Sequence, residues 1–167
     1  ARAGILRWAM LEVKIICVGK LKERYWREAV EEYAKRLSAF CRFSVVELNE
    51  ARLPQNPNAA EIDRALEEEG RAIRAAAGRS AVYALCIEGR MLSSEKLASE
   101  IASAAVGGAS SLAFVIGSSH GLHESVKACG KRISMSPMTF PHQLARVMLC
   151  EQLYRAFSIN AGTKYHK

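Results

Sequence analysis

Two hydrophobic periods alternate along this chain. Short, densely apolar runs fall at residues 11–18 (LEVKIICV), 43–48 (FSVVEL), 81–87 (AVYALCI), 111–116 (SLAFVI) and, more briefly, 132–135. Their length and β-branched content predict strands. Between them the apolar residues recur every three or four positions, which is the period of a half-buried helix. Tyr25, Trp26, Ala29, Val30, Tyr33 and Leu37 mark one helix over 20–37. Ile62, Leu66 and Ile73 mark a second, opened by an Asn58/Glu61 capping box and closed near Gly78. Leu97, Ala98, Ile101, Ala102 and Ala105 mark a third, capped by Ser93 or Ser94 and ended by Gly107-Gly108. A short helix reaches about Cys129, and a long one covers 141–159. Strands alternating with helices predict an α/β fold, a mostly parallel sheet flanked by helices.

The loop that launches the last helix is unusual. Ser134-Met135-Ser136-Pro137-Met138-Thr139-Phe140-Pro141-His142 holds two prolines, and Thr139 can cap a helix with Pro141 as its first residue. It reads either as a stiff connector or as a ligand-facing loop. The last helix carries Leu144, Val147, Met148, Leu149, Leu153, Tyr154, Phe157 and Ile159 around its circumference, with no wide polar face. Such a helix is either fully internal or shared with a second copy in a homodimer. Glu88-Gly89-Arg90 reads as a turn, and Glu67-Glu68-Glu69 as a solvated face.

Charge sharpens this picture. The 167 residues carry a net charge of +7, with the surplus at the two ends of the chain. Residues 131–167 hold six basic residues and one acidic, while 21–130 sum to −1. If the ends meet, they make a positive face suited to a polyanion; otherwise they are a solvated surface. No apolar run approaches the roughly 20 residues of a membrane helix. Residues 1–9 lack the apolar core of a signal peptide and read as an extension ahead of a single domain over 10–167. Five scattered cysteines without a CxxC argue against a disulfide framework and a zinc site, and suggest a reducing, cytoplasmic setting.

In parallel α/β sheets, ligands bind at the carboxyl ends of the strands. The candidate loops follow Leu85, run from Gly117 to Gly121, and run from Met135 to Phe140. Apolar side chains beside glycine-exposed main chain suit a nucleoside-like ligand. No GxxxxGK[ST], GxGxxG or GxSxG motif is present. His120 and His123 are three apart, yet no carboxylate or cysteine completes a metal set, and no metal is expected. The basic, aromatic tail Gly162-Thr163-Lys164-Tyr165-His166-Lys167 is either a frayed terminus or a surface that stacks on a base and meets phosphate.

The chain resembles a known family along nearly its whole length after Met10. The likeness is carried by Phe114-Val-Ile-Gly117, Gly121-Leu122, Ser134-x-Ser136-x-Met138-Thr-Phe-Pro-His142-Gln-Leu-Ala-Arg146, Glu151-Gln-Leu-Tyr-Arg-Ala-Phe157 and the terminal Tyr165-His-Lys167. Val18-Gly-Lys-Leu-Lys22 and Leu85-x-Ile-x-Gly89 are also similar. These residues resemble the RlmH family, large-subunit (23S) ribosomal RNA pseudouridine N3-methyltransferases of the SPOUT superfamily. The resemblance implies a C-terminal trefoil knot, a homodimer, and S-adenosyl-L-methionine as cofactor. It also implies ribosomal RNA or the assembled ribosome as partner. Leu85, Gly117, Met135, Ser136, Pro137, Met138, Thr139 and Phe140 are then the expected cofactor contacts. His142, Arg155, Tyr165 and His166 are the candidates for removing the N3 proton or stabilising the resulting anion. Family members usually carry Gly-Gly where this chain has Gly117-Ser118, which bears on the shape of that loop.

Overall fold

A computed structural model describes residues 11–167. The extension expected over 1–9, with its Arg2 and Arg7, lies outside the described residues, as does Met10. The elements run β1 (Glu12–Val18), α1 (Arg24–Leu37), β2 (Arg42–Leu48), α2 (Ala59–Ala77), β3 (Ala81–Met91), α3 (Ser94–Val106), β4 (Ser111–Ile116), α4 (Glu124–Lys127), β5 (Lys131–Ser134) and α5 (His142–Ala161). The five strands form one parallel sheet in the order β2-β1-β4-β3-β5. In register, Ile15 of β1 stands between Val45 of β2 and Phe114 of β4.

Strand alternation divides the core. Val13, Ile15, Cys17, Leu112 and Phe114 face the layer of α1, α3 and α5, where Leu37, Ile101, Leu149, Leu153 and Phe157 close over them. Ile16, Val18, Ala113 and Val115 face the opposite layer, against Ile73, Ala77, Leu122 and Val126. Burial on both faces explains why β4 is apolar throughout. All five cysteines are free thiols, and burial pushes Cys17, Cys41 and Cys150 up to about 12.

Helix boundaries follow local chemistry. The Asn58 side chain accepts the Glu61 N–H at 2.8 Å, and Glu61 accepts the Asn58 N–H at 3.2 Å, completing the expected capping box. Gly78 ends α2 at φ 55°, and Ser93 caps α3. Three expectations are corrected. Thr139 does not cap α5: Pro141 occupies the cap position with no side-chain bond, and the helix opens at His142. Glu88-Gly89-Arg90 is not a turn but part of β3, which shifts register against β5 between Leu85 and Arg90. Glu69 is not solvated but buried, because it falls in phase with Ala65, Ile73 and Ala77 on the inner side of α2.

The last helix lies against α1 and α3. Leu149, Cys150, Leu153, Ala156 and Phe157 are buried, while Leu144, Val147, Met148 and Tyr154 stay half-buried. Its Arg146 does not join a basic face. It is 5% exposed, donates to Glu47 Oε2 at 2.6 Å and to the Gly19 carbonyl at 3.2 Å, and leaves its Nε without a partner. Glu47 also accepts the Leu21 N–H at 3.0 Å. Burial alone would raise the Glu47 pKa, but these two donors hold it below the usual carboxylate range. Lys131 and Arg132 are likewise matched, by Glu100 and Glu124. The surplus at the chain ends is therefore smaller at the surface than the residue count suggests.

Two glycines let β5 lie against β3. A Cβ on Gly89 would stand 2.6 Å from the Ile133 carbonyl carbon and 2.7 Å from its nitrogen. A Cβ on Gly130 would strike the Val82 carbonyl oxygen. Both neighbours are main chain and cannot rotate aside. Gly89→Ala is expected to lower unfolding stability by about 1–3 kcal/mol, the usual cost of overpacking. Urea titration of the variant beside the parent protein measures it.

Candidate active site

The carboxyl ends of β3, β4 and β5 open onto one cleft of about 370 Å³. That volume lies within the roughly 300–1,000 Å³ range of small-molecule and cofactor sites. Leu85, Ile116, Leu122, Ile133, Met135 and Phe140 contribute apolar walls. Strand β3 and two loops close around it. After β4, a Cβ on Gly117 would meet the Gly121 carbonyl, so this turn folds tightly on itself. The Gly121 N–H donates to the Ser118 carbonyl at 2.8 Å, with Gly121 at φ 88°. Among the described residues only glycines have positive φ, so Ser118 is accommodated without backbone strain. After β5, Ser134 Oγ donates to the Ser136 carbonyl at 3.0 Å, and Ser136 Oγ accepts the Met138 N–H at 3.0 Å. Serines as well as prolines stiffen that loop.

Of the expected cofactor contacts, Leu85, Gly117, Met135, Ser136, Met138, Thr139 and Phe140 all line this cleft. Pro137 is exposed and does not. His142 lines it from the first turn of α5, one turn before the anchored Arg146. Sequence reasoning missed Ile116, Leu122 and Ile133 as walls, and also Glu88 and Lys127, an ion pair that lines the cleft. The apolar residues looked like ordinary core, and the pair joins elements far apart in sequence. His120 is exposed in the cleft, whereas His123 caps α4 through the Ser125 N–H at 3.2 Å. Among the described residues no three metal-binding side chains come together.

Arg155, Tyr165 and His166 sit in a second cluster, built on Glu151. Glu151 Oε1 accepts from Arg155 at 2.6 and 3.0 Å and from the Tyr165 hydroxyl at 3.1 Å. Burial and then this bond raise the Tyr165 pKa above 10. The carboxylate likewise raises Arg155. The guanidinium lies 4.8 Å over the Tyr165 ring, which meets Tyr154 edge-on at 4.6 Å. Arg155 can only donate, so the bond at 3.1 Å makes His166 Nδ1 the acceptor. His166 Nε2 then carries the proton that it donates to Glu95 Oε1 at 2.8 Å. Both ring nitrogens are engaged while the tail is seated.

None of these three residues lines the cleft. A second cavity, about 260 Å³, shares Ile133, Ser134 and Met135 with the cleft. Its other lining residues include Ser94 and Gln152. Ser94 donates to Gln152 at 2.6 Å, and Gln152 donates to Glu151 at 2.8 Å. The end of β5 and Met135 therefore stand between the cleft and this cavity, and Gln152 links the cavity wall to Glu151 by a hydrogen bond.

A parallel sheet with a closed glycine turn and an apolar cleft at its carboxyl edge defines an α/β protein that binds a small cofactor-sized molecule. A family model described as "Predicted SPOUT methyltransferase" matches residues 11–166. The chain belongs to the SPOUT methyltransferase family. It is 48% identical over 159 residues to Ribosomal RNA large subunit methyltransferase H of Levilactobacillus brevis, across 94% of this chain and all of that protein. Its fold resembles the crystal structure of a probable methyltransferase from Bordetella pertussis Tohama I. The TM-score is 0.52 at 15% identity, over 94% of this chain and 99% of that one.

Glu151→Ala removes the acceptor shared by Arg155 and Tyr165. Amide exchange at Tyr165 and His166 is expected to quicken about tenfold, the equivalent of one charge-assisted hydrogen bond. Exchange mass spectrometry on the C-terminal peptide reads this, and amides in β4 serve as the unmoved control.

Proposed function

We propose that this protein uses S-adenosyl-L-methionine to methylate N3 of a pseudouridine in large-subunit (23S) ribosomal RNA. The likeness to the Levilactobacillus brevis methyltransferase supports large-subunit ribosomal RNA as the substrate, and the pseudouridine N3 position follows from the resemblance of the C-terminal motifs to the RlmH family. The cofactor reading is supported by the cleft itself. Its apolar walls suit an adenine ring, and the turn at Gly117, closed against Gly121, brings bare main chain to the ligand. Leu85, Gly117 and the loop from Met135 to Phe140 would hold the donor. When bound, it supplies an activated methyl group on a sulfonium.

The protein's own task is then to position the acceptor and manage the N3 proton. His142 lines the cleft and is the candidate for the proton. Arg155, Tyr165 and His166 are held in one hydrogen-bonded group with Glu151 and Glu95. A guanidinium in that group favours an anionic acceptor. Half-buried Leu144, Val147 and Met148 on α5, with exposed Met138 beside the cleft, suit a second copy of the chain. We read the active form as a homodimer in which the tail group serves a cleft. The C-terminal trefoil knot implied by the resemblance belongs to this reading. The activity would belong to the cytoplasm, on free ribosomal RNA or the assembled ribosome.

Incubation with labelled donor tests the reading. Label is expected in large-subunit RNA only where the target uridine has first been isomerised to pseudouridine. Transfer to unmodified uridine, or to transfer RNA, would overturn the substrate assignment. Deleting Tyr165–Lys167 is expected to leave donor affinity within about twofold while methyl transfer falls at least about a hundredfold, as for loss of groups acting on the reacting atoms.

A further inference from the structure

Helix α2 turns Ala65, Glu69, Ile73 and Ala77 inward at successive turns, and Glu69 is the charged member of that stripe. It is 6% exposed. A carboxylate in such a place is costly unless its oxygens are bonded. Both are. Oε1 accepts the Ser118 hydroxyl at 2.9 Å, and Oε2 accepts the Ala51 N–H at 3.0 Å. Ser118 is itself 6% exposed and lines the cleft. Its carbonyl closes the turn by accepting the Gly121 N–H. Next to Glu69, Gly70 admits α4: a Cβ there would stand 3.2 Å from Val126 Cγ2 and 3.4 Å from Ser125 Oγ.

We propose that Glu69 is a positioning residue of the methyl-donor site. From the layer behind the sheet it holds the Gly117–Gly121 turn by the Ser118 hydroxyl, and it ties that turn to the β2–α2 segment through Ala51. Besides the main-chain bond from Gly121 to Ser118, the turn's two glycines leave it many shapes once it is released. Glu69 keeps it in the binding shape before the donor arrives, so ordering it does not weaken binding. The proposal rests on the reading of the cleft as the donor site.

Ser118→Ala removes the donor, leaving Glu69 one bond short. Glu69→Gln keeps one acceptor but turns an amide N–H₂ toward either Ser118 or Ala51. Calorimetric titration with S-adenosylmethionine and with S-adenosylhomocysteine is expected to show each variant binding both ligands about tenfold more weakly, the scale of one hydrogen bond to a charged group. The double variant is expected to bind no more weakly than Glu69→Gln alone, because the two residues act through one bond. In turnover, the donor's KM is expected to rise by more than kcat falls. Unchanged affinity in Ser118→Ala overturns the proposal even if Glu69→Gln fails to fold. So do fully additive losses, or a lower melting temperature with unchanged affinity. Failure of the unaltered protein to bind either ligand overturns the donor-site reading itself, and the proposal with it.

Discussion

The structure depends on how closely main chain can approach main chain at the carboxyl edge of the sheet. β5 lies against β3 because Gly89 and Gly130 leave no Cβ between the strands. The turn after β4 closes because Gly117 leaves none facing Gly121. These contacts bring β3 and two loops from separate parts of the chain to one cleft. A side chain at any of the three would push one wall away. The glycines therefore act as geometry for the site more than as flexibility, and positive φ is needed only at Gly121 among them.

Buried charge organises the surroundings of the cleft from two sides. Arg146 joins the first turns of α5 to the loop after β1, through Gly19 and Glu47. His142, one turn earlier, inherits its place from that anchor. On the opposite layer, Glu69 joins α2 to the turn after β4. Glu69 accepts from one main-chain and one side-chain donor, and Arg146 donates to a main-chain carbonyl and to a carboxylate, which is what lets these charges stay in a core. The tail group differs. Glu151, Arg155, Tyr165 and His166 are only partly buried, and they bind one another more than the body of the fold. Glu151 and Arg155 are fixed on α5, and Tyr165 and His166 beyond the helix are seated on them.

Much of this was legible beforehand. The runs at 11–18, 111–116 and 132–135 read as strands because they are short and rich in apolar or β-branched residues, and β4 is apolar throughout because both its faces are buried. The caps at Asn58, Gly78 and Ser93 read correctly because capping is local chemistry. Seven of the eight residues that the family resemblance marked as cofactor contacts line the cleft, and the loops after β4 and β5 were also recognisable from strand ends and glycines. Glu88-Gly89-Arg90 misled because a glycine inside a strand carries the same local signal as one in a turn. Glu69 was hidden by its acidic neighbours Glu67 and Glu68, although its phase with Ala65 and Ile73 was present in the pattern.

By itself the sequence determined the elements, their α/β order, the edge of the sheet where ligands would bind, and the family likeness. These rest on hydrophobic period, capping residues and short motifs, all of which act over a few residues. Only the tertiary structure decided which charges are spent inside. Arg146 and Glu47 stand 99 positions apart, and Glu69 and Ser118 stand 49 apart. No local pattern announces such pairs, because they exist only once the sheet has brought their helices and loops together.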